Sequence, residues 1–204
     1  MSDKIEFITS VLNELYPEPD IPLDHENNFT FLIAVMLSAQ STDKKVNEIT
    51  PKLFSKANTA EKMDKLNEEE IKSLIREIGL APTKAKNIKK TCKQLLEKHN
   101  GHVPNSFEDL EELAGVGHKT ASVMMAQAFN VPAFPVDTHI HRLAFRWGIS
   151  NGKNVQTTEK DLKATFEEKE WTRLHLQMIF YGREYCQARK NICECQICAF
   201  IRNS

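Results

Sequence analysis

The sequence predicts an all-α protein, and three observations carry that prediction. Apolar residues recur at helical spacing through nearly every patterned segment, no stretch alternates apolar and polar residues long enough to make a strand, and the helical runs are parted by brief turns. With 204 residues and 41% hydrophobic content, the chain can bury a sizeable core, as one large domain or two small ones. No run approaches the length of a membrane span, and the opening MSDKIEFITS lacks the basic-then-apolar order of a signal peptide, so a soluble cytoplasmic protein is expected.

Taken in order, helices are predicted over 5–16, 29–39, 43–54 and 67–78. Over 83–99, Ile88, Cys92, Leu95 and Leu96 form one apolar stripe with Lys86, Lys89, Lys90 and Lys93 mostly away from it, which makes Cys92 a core residue. Ser106 followed by Asp109 has the form of a capped start, giving a short helix over 107–113. The next helix, 118–129, carries Ala121, Met124, Met125 and Ala128 on one face and ends before Pro132 and Pro135. Further helices follow Asp137 through Trp147, then over 155–168 and 171–185. The link 131–135 is the best candidate for a domain crossing, which would set Lys119 and Asp137 on opposite sides of a cleft.

The most informative stretch is LAGVGHKTA, Leu113 to Ala121. A Gly-x-Gly turn between two helices exposes backbone N–H groups beside the positive end of the second helix, a geometry suited to a phosphate. Lys119 puts a primary amine next to that site. Net charge is −1, with 27 Lys+Arg against 28 Asp+Glu, so any nucleic-acid surface must be local.

Breaking a base–sugar bond develops positive charge on the sugar, which a carboxylate such as Asp137 stabilises. If an amine rather than water attacks, a Schiff base forms and elimination of the neighbouring phosphate becomes easy. Each residue also has a plainer use: a lone lysine after Gly-x-Gly contacts phosphate or solvent, and a lone aspartate before threonine caps a helix.

Four of the five cysteines, Cys186, Cys193, Cys195 and Cys198, crowd into the tail. In a cytoplasmic chain such crowding points to a metal centre, with an unligated reduced tail as the alternative.

LSAQSTDKKVN from Leu37, GLAPTKAKNI from Gly79, LAGVGHKTA from Leu113, VDTHIHRL from Val136 and GREYCQARK from Gly182 together resemble the endonuclease III family of helix-hairpin-helix DNA glycosylases. The resemblance implies a six-helix barrel domain carrying the hairpin, placed at 22–132, and a second helical domain built from 1–21 and 133–204 that carries the cysteine cluster. It implies a monomer acting on duplex DNA, removing oxidised, ring-saturated or fragmented pyrimidines and cleaving the abasic site. Lys119 would be the nucleophile and Asp137 the assisting carboxylate. Gln40 would fill the space left by the extruded base, and Leu80 would wedge against the opposite strand. Gly115, Gly117, His118 and Thr120 would contact the backbone at the hairpin, and Arg183, Arg189 and Lys190 would form a basic surface near the first cysteines. The four cysteines would hold a [4Fe–4S] cluster.

The chain departs from the family pattern in four places. Ala114 replaces the proline common before the first hairpin glycine, which loosens the turn. His118 stands at a usually basic position. Ala81 and Pro82 follow Leu80 where an aromatic residue is frequent. The cysteine gaps are six, one and two residues instead of six, two and five, with Gln196 and Arg202 where the third and fourth ligands are expected. Zinc or no metal are the alternatives to a cluster. Two other functions compete with the leading one: a monofunctional mismatch glycosylase, against which Lys119 argues, and a non-catalytic hairpin module that only binds DNA, against which Asp137 argues.

Overall fold

The computed structural model describes residues 2–189 and 193–203, and among these every regular element is helical. The chain forms two compact units: Ile21–Val131, and Met1–Asp20 with Pro132–Ser204. No helix among the described residues is long and apolar enough to cross a membrane.

The second of these units opens the chain with α1 (Ser2–Leu15). The central unit then holds α2 (Asn28–Ser38), α3 (Asp43–Lys56), α4 (Ala60–Lys65), α5 (Glu68–Leu74), α6 (Ala81–His99), α7 (Phe107–Glu112) and α8 (His118–Ala128). In α2 all nine residues from Phe29 to Leu37 are buried, as expected of a helix that is apolar on every side, and it packs against α3, α6 and α8. Its start is fixed by a capping box in which the Asn27 side chain accepts from Thr30 N and the Thr30 hydroxyl accepts from Asn27 N. Cys92 is fully buried on the apolar face of α6, and that burial pushes its thiol up to about 12.

The chain passes from one unit to the other at Val131–Pro132 through an extended segment whose Ala133, Phe134, Pro135 and Val136 are buried. There follow α9 (Thr138–Arg146), α10 (Val155–Thr165), a 3₁₀ turn at Glu168–Glu170, α11 (Trp171–Glu184) and α12 (Gln196–Asn203). Trp147 and Tyr181, both buried, meet edge to face at 5.8 Å in the core of this unit. Phe7 of α1 stacks on Phe200 of α12 at 3.9 Å, tying the first helix to the last.

Four elements differ from the sequence reading, the first being α12, for which no helix is expected and which is set by packing such as Phe200 on Phe7. The segment α4 has only Ala60 and Met63 buried in six residues, too few for a period to show, and is specified instead by the Thr59 cap. The expected 155–168 helix stops at Thr165 because Phe166 turns extended, burying its ring 6.4 Å from Phe134. The expected 67–78 helix ends at Leu74, with Ile75 as its C-cap.

Candidate active site and thiol centre

In the central unit, α7 and α8 are joined by a turn held from α6. Thr91 Oγ1 donates to the Ala114 carbonyl at 2.7 Å, and the Ala114 N–H donates to Gln94 Oε1 at 2.8 Å. Gln94 Nε2 also donates to the Glu112 carbonyl at 2.9 Å. The expected loosening from Ala114 is therefore not what the structure shows: proline has no N–H, and the one alanine supplies is spent on tying the turn to α6.

Gly115 is required twice over. Its φ is +79°, and a Cβ there would lie 2.7 Å from Asn87 Nδ2. Gly117 has open space around its Cα and forms the N-cap of α8 with no side-chain cap, so the first-turn N–H groups of α8 are not covered by a capping side chain. Lys119 and His118 are exposed in that first turn, and Thr120 is half-buried. The His118 ring lies 2.7 Å from Glu111 Oε1 and stacks on Phe107. A carboxylate thus faces the histidine at the position where a permanent cation was expected.

Gln40 and Leu80 share an unusual backbone. Four described non-glycine residues have positive φ: Gln40 (55°), Leu80 (61°), Asn100 (52°) and Asn130 (54°). The two asparagines follow helix ends, where this conformation is ordinary, and Gln40 likewise follows α2, in a turn closed by the Ser41 N–H on the Ser38 carbonyl at 3.0 Å. For leucine and glutamine it costs about 1–2 kcal/mol each, and such strain gathers at functional positions. Leu80 is also 52% exposed, an apolar side chain held out to solvent.

In the other unit, Asp137 is the N-cap of α9, with Oδ1 accepting from Ile140 N at 2.8 Å. The same helix supplies two arginines, four residues apart, that the sequence reading passed over. Arg142 donates to the carbonyls of Gly182 and Cys186, each at 2.9 Å. Arg146 donates to Cys186 Sγ at 3.2 Å and to the Gln187 carbonyl at 3.0 Å. The Cys186 sulfur holds the Arg146 guanidinium above its ordinary pKa, whereas burial lowers that of Arg142. Their one-turn spacing in HRLAFR was the signal available.

Cys186, Cys193, Cys195 and Cys198 place their sulfurs all within 4.8 Å of one another, three of them buried and Cys195 half-buried. They pair in no disulfide. Four thiols converging in one protected spot are a donor set for a metal centre, and the short Cys193–Cys195 link does not keep them apart. Arg183 and Arg189, each three positions along the chain from Cys186, are exposed, and Lys190 lies outside the described residues.

Residues 33–168 match the family model described as HhH-GPD superfamily base excision DNA repair protein. The chain is 46% identical to Endonuclease III of Haemophilus influenzae over 93% of its length and 90% of that protein's, and 44% identical to Endonuclease III of Escherichia coli K12 over the same shares. Among solved structures, it is similar to a non-covalent Endonuclease III–DNA complex with a TM-score of 0.91 and 37% identity, covering 100% of this chain and 99% of that one. A thermostable thymine-DNA glycosylase, at TM-score 0.86 and 22% identity over 100% of this chain and 99% of that one, shares the fold.

Proposed function

The chain belongs to the HhH-GPD superfamily of base excision DNA repair proteins and is a DNA glycosylase and abasic-site lyase; from that premise we propose that it removes oxidised or ring-damaged pyrimidines from duplex DNA and nicks the abasic site by β-elimination through Lys119. The observation that carries this reading is the amine of Lys119 in the first turn of α8, directly beyond a helix N-terminus without a side-chain cap.

The neutral Lys119 amine attacks C1′ as the glycosidic bond breaks and the base leaves with the bonding pair. The Asp137 carboxylate stabilises the positive charge that builds on the sugar. Sugar-ring opening gives the Schiff base, loss of a C2′ proton expels the 3′ phosphate, and hydrolysis of the imine frees the lysine. Before any of this the base must leave the stack, at a cost of a few kcal/mol. Gln40 fills the vacated space and Leu80 wedges the opposite strand. The hairpin backbone at Gly115, Gly117, His118 and Thr120 grips the DNA backbone, and Arg183, Arg189 and Lys190 add charge without reading sequence.

Cys186, Cys193, Cys195 and Cys198 would hold a [4Fe–4S] cluster, and the two α9 arginines anchor the segment that carries Cys186. When bound, the centre supplies a cross-link between the end of α11 and α12. A second reading, a single zinc ion, is favoured by one observation: the four sulfurs all lie within 4.8 Å of one another, close enough together for one ion to be held by all four. Iron and zinc analysis of the purified protein decides between them.

The functional reading is tested on duplexes with a single oxidised pyrimidine, a mismatch or no lesion. Excision and nicking at the oxidised base alone are expected, both lost in Lys119→Gln. Excision at the mismatch without nicking would overturn the assignment.

A further inference from the structure

Two loops of the central unit, one ending α2 at Gln40 and the other starting α6 at Leu80, are joined by a residue that the proposed chemistry leaves unused. Lys84 lies in the first turn of α6 yet is only 7% exposed. Its Nζ reaches across to the last turn of α2, donating to the Leu37 carbonyl at 2.8 Å and the Ala39 carbonyl at 2.5 Å. Carbonyls at a helix C-terminus have no partner within the helix and carry its negative end, so a buried ammonium is well placed there. Among the described residues no carboxylate pairs with Lys84, and burial lowers its pKa, so these carbonyls supply what holds the amine in place.

A second contact joins the same loops. A Cβ on Gly79 would sit 3.3 Å from the Gln40 carbonyl oxygen and 3.9 Å from Ser41 Oγ, so the backbone before Leu80 lies against the backbone of Gln40. The two joined residues are also the two that hold a positive φ without being glycine or asparagine: Leu80 as the N-cap of α6, and Gln40 as the third residue of a turn closed by the Ser41 N–H on the Ser38 carbonyl at 3.0 Å. Conformations of that kind persist only when surrounding contacts over-determine them. The Lys84 clamp and the Gly79 contact are such contacts.

We infer that Lys84 is a positioning residue that locks the Gln40 and Leu80 loops into one rigid wedge, so that filling the vacated base site and prying at the opposite strand happen as a single event. The inference rests on the proposed roles of Gln40 and Leu80 and goes beyond them, because it makes the two loops interdependent through a lysine that touches no DNA.

The test uses Lys84→Met, which keeps the alkyl stem and removes the donors, together with Gly79→Val, which presses on the Gln40 carbonyl without touching the lysine. Three quantities are measured: single-turnover excision of an oxidised pyrimidine from a paired duplex, borohydride trapping at an abasic site in single-stranded DNA where nothing has to be expelled, and thermal melting. Both variants are expected to slow duplex excision about tenfold or more, equivalent to losing about 1.4 kcal/mol of transition-state stabilisation, while trapping stays within about threefold. In a Gln40→Ala/Leu80→Ala background, adding Lys84→Met is expected to cost less than about twofold further, since residues acting through one unit are not additive. Equal loss of excision and trapping, or a full additive loss in the double-variant background, would show Lys84 to be merely structural. If Lys84→Met fails to fold, Gly79→Val carries the comparison. If Gln40→Ala and Leu80→Ala leave excision intact, the loop roles themselves fall; if those slow excision and Lys84→Met and Gly79→Val do not, only the coupling falls.

Discussion

Asp137 has two jobs in this account, and the structure lets them be separated. Its Oδ1 accepts the Ile140 N–H at 2.8 Å as the N-cap of α9, while its charge is assigned to the sugar. Asn caps a helix as well as Asp does, so Asp137→Asn keeps the acceptor and forfeits only the charge–dipole part, about 0.3–1 kcal/mol. Asp137→Ala forfeits the cap as well, a further ~0.5–2 kcal/mol. For a chain of this size each kcal/mol moves the melting temperature by about 2–4 °C, so the alanine variant is expected to melt several degrees below the asparagine variant. Catalysis should not follow that order. Removing one electrostatic group aimed at developing charge costs about 10²–10³ in rate, and both variants lack it. Single-turnover excision, duplex binding and melting, measured on wild type and both variants, therefore predict one catalytic loss with two different stabilities. An asparagine variant with wild-type excision, or one whose excision falls only in step with DNA binding, would refute the catalytic assignment.

Gly115→Ala combines a positive φ with a clash on Asn87 and is expected to destabilise the protein by about 1–3 kcal/mol, read by denaturant titration. Leu80→Asn, which tolerates the left-handed conformation, should leave the melting temperature equal or higher while slowing duplex excision. The Cys92 thiol, raised in the folded state, retains a proton that the unfolded chain loses above pH about 9. Its contribution to stability is therefore complete below that pH and is lost as pH rises to about 12, and Cys92→Ala should flatten this part of the stability profile. Cys198→Ser is expected to lower bound metal and the melting temperature together; unchanged metal content would remove Cys198 from the ligand set.

Much of the fold was legible because long amphipathic runs such as 83–99 and 118–129 repeat their apolar residues over several turns. The short α4 and the cysteine-bearing α12 were not, since neither offers enough turns for a period and each is set by its cap or by packing such as Phe200 on Phe7. At the site, the hairpin was readable from Gly-x-Gly because only glycine suits φ +79° at Gly115. The backbone strain at Gln40 and Leu80 was invisible, as nothing in Gln or Leu announces a left-handed conformation. Lys84 was hidden by its company: among so many lysines on α6, the one turned inward has no mark in the sequence.

The most direct test of the central claim is borohydride trapping on an abasic-site duplex, with the adducted peptide identified by mass spectrometry. One covalent protein–DNA adduct is expected, located at Lys119 and absent from a folded Lys119→Gln variant. An adduct that persists in that variant, or no adduct from wild-type protein that still excises the base, would contradict that claim.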